Sequence, residues 1–377
     1  MPNESARILF LDTGPWFGGA QRSLLTVLNS LDWERWEPTV VAADNSRDGL
    51  LRQCSLHNVE HIHIPFRHWR KRLGSLPAFG HDVLRLRKAV AGLEKSAPFD
   101  LVHANTTRAG LAAALALPGT VPLVVFDRDM QTPAPVRRLL ARRADRLVAV
   151  SETVAARWRS FRTRISVIPN GFDIATLRST APSSRLYQPQ SGFSVLLVAD
   201  LVPWKGHQLF LEAVEQAKSG RPELAATVIG RIVDPKGKTY LNDLRSWVRA
   251  RRLENDVEFV TSCTNAVPWI AACGTLASTS VCEPFGRSVV EALATGTPVV
   301  ATPGGGPAEI LREAGQAGIV VPGDPASLAA AFLEFGSASR RVAVATDAVR
   351  CAEKYDIGVV SERIQAVYES AITGGSR

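Results

Sequence analysis

Residues 281–298 read VCEPFGRSVVEALATGTP and set two acids, Glu283 and Glu291, eight positions apart around a Pro-Phe-Gly turn. An amphipathic pattern starting near Gly286 and stopping at Gly296 predicts a helix, with Glu283 in the turn before it and Glu291 more than one turn inside. The first backbone N–H groups of a helix have no partner within it, and the helix dipole makes that end positive. The amides of Gly286, Arg287 and Ser288 therefore form a candidate anion hole. One carboxylate beside such a hole and another further along could accept from hydroxyls on either side of a bound diphosphate, which is the shape of a nucleotide-sugar. The spacing alone fits equally an ordinary helix with one capping Glu and one exposed Glu.

Three other segments carry chemistry of the same kind. In VADLVPWKGH, Lys205 follows a strand pattern, where an ammonium can neutralise a β-phosphate without a metal; alone it also reads as an exposed lysine at a helix start. FGGAQRS places Gly18 and Gly19 between the first strand and the first helix, so that backbone can approach a ligand closely. It is not a G-x-G-x-x-G fingerprint, and no suitably spaced acid supports a dinucleotide. Gly304, Gly305 and Gly306 form a second glycine turn suited to backbone approach, with Glu309 opening the helix after it.

The elements that must hold these segments alternate along the chain. Apolar runs at 7–11, 39–43, 60–64, 101–103, 123–126, 147–150 and 166–168 read as strands, with helix patterns such as 21–31, 81–95 and 107–117 between them. The pattern restarts at 194–198 and continues at 226–229, 257–260, 275–278, 299–301 and 319–321. Such alternation predicts α/β architecture with doubly wound parallel sheets. A Ser- and Pro-rich stretch at 174–192 reads as a linker. The expected organisation is an N-terminal Rossmann-like domain at 1–175, a second at 190–355, and a C-terminal helix at 356–377 packing back toward the first domain. Ligands in such folds bind outside the carboxyl ends of strands, so a cleft between two facing domains is the expected site.

Composition agrees with this division. At 377 residues the chain exceeds what one core usually serves, and 46% hydrophobic with 21% charged residues is a globular balance. No apolar run approaches the about 20 residues that span a bilayer, and the N-terminus lacks a signal-peptide layout, so a cytoplasmic location is expected. Cys54, Cys263, Cys273, Cys282 and Cys351 show neither C-x-x-C pairing nor metal spacing and read as reduced thiols. The net charge of +8 is uneven: residues 1–180 hold 25 Lys+Arg against 16 Asp+Glu, residues 181–377 hold 19 against 20. Basic clusters at 66–90, with Trp69, Leu73 and Phe79 interleaved, and at 136–146 suit an anionic membrane surface or a phosphorylated acceptor. They also suit a plain solvated helix face. No recognition motif accompanies the charge, so no nucleic acid is expected.

The wording EPFGRSVVEALATGTPVVAT resembles the donor-site signature of retaining glycosyltransferases of family 4, which have the GT-B fold. GGAQRSLL, AVSETV, VIPNGFD, LVPWKGHQLFLEAV, TVIGR and GGGPAEI agree with that family in order and distance, so the resemblance runs from about Ile8 to the last helix. It implies transfer of a sugar from a nucleotide-diphosphate sugar to an acceptor hydroxyl, with retention of configuration and with neither a cofactor nor a metal. Glu291 would accept from ribose hydroxyls and Glu283 from those of the sugar. Lys205 and the amides of Gly286, Arg287 and Ser288 would hold the diphosphate. Gly18, Gly19, Arg231 and Phe285 complete the implied donor set. The acceptor, a sugar, a small molecule or a lipid-linked glycan, would fall to the N-terminal half, with His103, Arg128 and Asp129 near the chemistry.

Two departures qualify the match. Where much of the family has an arginine five residues before the phosphate-binding lysine, this chain has Asp200, so that Arg231 or Arg287 would have to supply the cation. After the strand ending near residue 126 the family commonly has a histidine; here the run is Phe126, Asp127, Arg128, Asp129, leaving His103 as the nearest by pattern. These losses motivate two alternatives: a nucleotide-sugar-binding protein without turnover, and a GT-B sugar-nucleotide epimerase. Asp127 and Asp129 mimic a D-x-D metal element but lie in the wrong domain for one, and no carboxylate stands out as the nucleophile of a double displacement.

Overall fold

A computed structural model describes residues 5–374 apart from 45, 47–48, 67–75, 96, 162–163 and 181–192. The chain divides into two compact units: Met1–Phe172 with Ile357–Arg377, and Asp173–Asp356. Each is a Rossmann-like α/β domain built on one parallel sheet, as the alternation predicts.

The first unit contains β1 (Ala6–Asp12), β2 (Trp36–Ala42), β3 (Glu60–His63), β4 (Leu101–Ala104), β5 (Leu123–Asp127), β6 (Arg146–Ala149) and β7 (Ile165–Val167). They form a seven-stranded sheet in the order β3-β2-β1-β4-β5-β6-β7. Helices cover both faces, which is why a run such as Ile8, Leu9, Phe10, Leu11 is apolar at every position. Alternate side chains enter different cores: Ile8 and Phe10 join one with Leu24, Val27, Ile364 and Tyr368, whereas Leu9 and Leu11 join the other with Leu86, Ala113 and Leu140. The helix Ile357–Gly374 belongs to the first of these cores. Its Val360, Ile364, Val367, Tyr368 and Ala371 recur at helical spacing and are buried there. Gln365 accepts from the Trp36 indole at 2.7 Å, and Ser361 and Ser30 bond through their hydroxyls at 3.0 Å.

The second unit contains β8 (Ser194–Val198), β9 (Ala225–Ile229), β10 (Val257–Val260), β11 (Thr275–Ser278), β12 (Val299–Ala301) and β13 (Gly318–Val320), ordered β10-β9-β8-β11-β12-β13. In both sheets the strand order reverses direction beside the first strand: between β1 and β4, and between β8 and β11. Loops leaving neighbouring strands there diverge to opposite faces and open a crevice, the usual ligand position of the doubly wound fold.

Two expectations change. The first six residues of the stretch read as a linker form the helix Ile174–Ser179, because Asp173 caps it by accepting from the Thr176 amide at 2.9 Å; most of the remainder lies outside the described residues. Phe79 does not interleave with surface cations. It is partly buried against the core of Leu86 and Val90, and Trp69 and Leu73 lie outside the described residues. No helix among the described residues is long and apolar enough to cross a membrane.

Candidate functional site

The crevice of the second unit is built from the loops after β8 and β11. After β8 the chain makes a tight turn at Pro203–Lys205 and passes through Gly206 at φ +75°. A side chain at Gly206 would meet the Thr279 carbonyl oxygen at 2.0 Å, so only glycine lets the two loops touch. Thr279, the first residue after β11, donates its hydroxyl to the carbonyls of Lys205 (3.2 Å) and Gly206 (3.0 Å). The Val281 amide donates to the Trp204 carbonyl at 2.9 Å. These bonds fix Lys205 beside Glu283: the ammonium donates to Glu283 Oε2, which also accepts from Ser280 Oγ at 3.2 Å. The Lys205 ammonium lies 4.2 Å from the centre of the Trp204 ring.

The same loop continues into the helix Arg287–Ala294, entered through Gly286 at φ +102°. Glu291, one turn in, sits 3.7 Å from Arg287. The glycine run after β12 has a different use from the one its sequence suggests. The Glu283 amide donates to Gly304 O at 2.7 Å, and the Gly306 amide to Glu283 O at 2.9 Å. A β-carbon at Gly304, Gly305 or Gly306 would come within 2.3–2.5 Å of the carbonyl oxygen of Ser280, Glu283 or Phe285 respectively. The glycines make room for protein backbone, clamping the Glu283 loop. Phe285 turns its ring inward, 5.8 Å from Tyr355, and is buried.

Arg231, at the end of β9, is engaged by Asp200: its Nε and Nη2 reach the two carboxylate oxygens at 2.9 and 3.0 Å. The acid that stands in place of the family arginine is thus neutralised by a bidentate partner. His207, next to the turn, is buried, and desolvation lowers its pKa to about 4, so its imidazole is neutral at neutral pH.

Glu283, Lys205, Gly286, Arg287, Ser288 and Glu291 therefore lie on two adjoining loops and one helix start of a single unit. Gly18, Gly19, His103, Arg128 and Asp129 belong to the other unit. Gly18 precedes the helix Gly19–Asn29, and its amide donates to Gln21 Oε1 at 3.0 Å. His103 is not presented to a ligand. It is fully buried, stacked on Phe126 at 4.2 Å and bonded to the Tyr368 hydroxyl at 2.6 Å, with its pKa held well below the usual value by burial. A strand-interior histidine between two aromatic rings is a core residue here. Arg128 is half-buried, its Nε within 3.2 Å of both Asn105 O and Asn105 Oδ1, and it also donates to Asn170. Asp127 accepts from the Trp158 indole at 2.8 Å and the Asp129 amide at 3.0 Å. Burial raises its pKa to about 6. Among the described residues no cluster of His, Cys, Asp or Glu is arranged to hold a metal.

Sequence reasoning did not single out Thr279, Ser280, Asp12 or Asn105. All four stand at or just after the carboxyl end of a strand beside a switch point, and that position was the available signal.

Comparison with known proteins agrees with this geometry. The sequence model of "Glycosyl transferases group 1" matches residues 186–344, and that of "Glycosyltransferase Family 4" matches residues 17–176. The chain belongs to glycosyltransferase family 4. Within that family, similar proteins include a D-inositol 3-phosphate glycosyltransferase of Nocardioides, 30% identical over 70% of this chain and 65% of its own length. Another is a phosphatidyl-myo-inositol mannosyltransferase of Mycobacterium leprae, 31% identical over 61% and 60%. The match thus spans just under two thirds of the length of these relatives. Anabaena HepE, crystallised with UDP and glucose, is 26% identical with a TM-score of 0.79, covering 96% of this chain and 99% of that one. Sucrose-phosphate synthase of Thermosynechococcus elongatus shares the fold (TM-score 0.80) at 16% identity, over 98% and 100% of the two chains. The two parallel-sheet domains are those of GT-B structures.

Proposed function

We propose that this family 4 chain transfers a sugar from a nucleotide-diphosphate sugar to an acceptor hydroxyl, with the donor held at the β8/β11 switch point. The observation that carries this reading is the ion pair of Lys205 and Glu283 beside the start of the Arg287–Ala294 helix. In the free protein each side chain neutralises the other. An arriving diphosphate offers the ammonium a stronger partner, and the pair exchanges: Lys205 turns to the phosphate, and Glu283 is released to accept from a hydroxyl of the sugar. As the glycosidic bond to the β-phosphate breaks, negative charge grows on the leaving diphosphate. The ammonium and the amides at the helix start are already aimed there, so they stabilise the transition state more than the ground state. Glu291 receives the ribose hydroxyls.

HepE binds UDP and UDP-glucose, which supports a UDP-hexose as the first donor to test. The inositol-phosphate and phosphatidylinositol enzymes among the relatives support a phosphate-bearing polyol as acceptor, held by the basic first unit. Retention of configuration is part of the proposal; the anomeric proton coupling of the product reports it directly. The donor reading is tested by thermal shift of the wild type, Lys205→Ala and Glu291→Ala against UDP-, GDP-, ADP- and dTDP-sugars. One donor should raise the wild-type melting temperature, and both substitutions should diminish that shift. If no donor shifts the wild type, the β8/β11 assignment is lost.

A further inference from the structure

One face of the seven-stranded sheet is covered by three helices, Leu76–Leu93, Thr107–Ala116 and Ala134–Arg143, with the middle one packed against both neighbours. Their inner sides enter one core through Leu86, Val90, Ala109, Ala113, Ala116 and Leu140. Their outer sides have an unusual charge pattern. Exposed cations come from all three helices: Arg85, Arg87 and Lys88 from the first, Arg108 from the second, Arg138 and Arg142 from the third. The three sequences contain a single acid, Asp82, and it is fully buried. The layer thus shows solvent no carboxylate at all. In the second unit, by contrast, the helices His207–Gly220 and Pro235–Ala250 mix Glu212, Glu215 and Asp243 with their cations.

Between the cations stand three large apolar side chains, Leu84 (64% exposed), Leu115 (50%) and Leu139 (36%), one on each helix. A single exposed leucine needs no explanation. One on every helix of a layer devoid of exposed acid gives a surface with two kinds of affinity, electrostatic and apolar. A polyanion such as RNA would use the arginines and gain nothing from the leucines. An anionic bilayer uses both, its headgroups meeting the cations and its acyl boundary taking the leucines.

We propose that this three-helix layer is a peripheral docking face for a bilayer carrying anionic lipid. The inference is independent of the donor site and stands or falls without it.

The test is co-sedimentation of the full chain with vesicles of phosphatidylcholine alone or of phosphatidylcholine mixed with phosphatidylglycerol, at low and high salt. Binding is expected only with phosphatidylglycerol, and it should weaken as salt screens the charges. The triple variant Arg108→Gln, Arg138→Gln, Arg142→Gln should bind about a hundredfold more weakly, at roughly fivefold per charge. The triple variant Leu84→Ser, Leu115→Ser, Leu139→Ser should lose about tenfold and keep the salt dependence. Arg245→Gln with Arg249→Gln, exposed changes in the second unit, should leave binding intact. All substituted side chains are at the surface, and a wild-type melting curve for each variant shows that it folds. No binding to phosphatidylglycerol vesicles at low salt overturns the proposal, as does unchanged binding of the arginine variant. Loss with the arginine variant but none with the leucine variant also overturns it, because the face is then a polyanion site and not a membrane one.

Discussion

The two sheets reverse strand order in the same way, yet their switch points are filled differently. In the first unit the crevice between β1 and β4 is closed by an interlock. Asp12, fully buried, accepts from Gln21 at 2.8 Å, Asn105 at 2.6 Å and the Gly14 amide at 2.7 Å, and Asn105 in turn receives Arg128. In the second unit the crevice between β8 and β11 holds one ion pair, with 16% of the Lys205 side chain and 18% of that of Glu283 exposed. The hydroxyls of Thr279 and Ser280 support this pair from the strand end. Topology decides where a ligand can bind. Whether it does depends on how far the polar groups are already committed to one another: a fully buried network is costly to open, whereas a single pair that still reaches solvent can change partners.

The comparison predicts that substitutions at the two points will damage different properties. The largest effect is expected from Lys205→Ala, which should lower kcat/KM for the donor by about 10²–10³ while moving the melting temperature little. A large loss of stability instead would mean that Lys205 is structural and would erase the distinction. Asn105→Ala should do the reverse. It leaves buried Asp12 and Arg128 without their shared partner and should cost about 3 kcal/mol in urea unfolding, with donor binding unchanged by calorimetry.

Asp127, at the end of β5, sharpens the contrast through pH. Its folded pKa near 6 lies above its ordinary value of 3.8, so between those values the folded chain holds more protons than the unfolded one. This residue's contribution is therefore full at low pH and is lost as pH rises toward 6, a change of roughly 3 kcal/mol. Asp127→Asn should flatten the urea midpoint against pH across that window; an unaltered slope would show that the carboxyl is not the titrating group. The smallest effect is expected from Asp200→Ala. Removing the acid beside Arg231, near the proposed diphosphate site, should tighten donor binding by a few-fold, about 1 kcal/mol at a half-exposed pair. Weaker binding would mean that the ion pair itself orders the loop.

Much of this was legible in sequence. Both sheets, with strand ends mostly within a residue or two, follow from apolar runs between helix patterns, because strands covered on both faces must be apolar throughout. The Gly286 helix start followed from glycine and periodicity. Pairings between segments were not legible. Nothing local shows that Asp200 meets Arg231, 31 positions on, or that Lys205 meets Glu283, 78 positions on; only the strand order brings those loops together. His103 misled for the same reason, since its burial depends on Tyr368 arriving from a helix 265 positions later. The linker reading at 174–192 weighed composition above the cap that Asp173 gives the next helix.

The clamp that Gly304, Gly305 and Gly306 place on the Glu283 loop has a kinetic consequence. Paired in both directions at 2.7 and 2.9 Å, this loop behaves as a short extra strand, and its only isolated bridge among the described residues is Glu283 with Gly305. The Glu283 and Gly306 amide hydrogens should therefore exchange slowly with solvent before any ligand is present. A loop ordered in advance loses little further freedom on binding, so association at this edge need not wait for a disorder-to-order step. The glycines would show their effect as a faster on-rate.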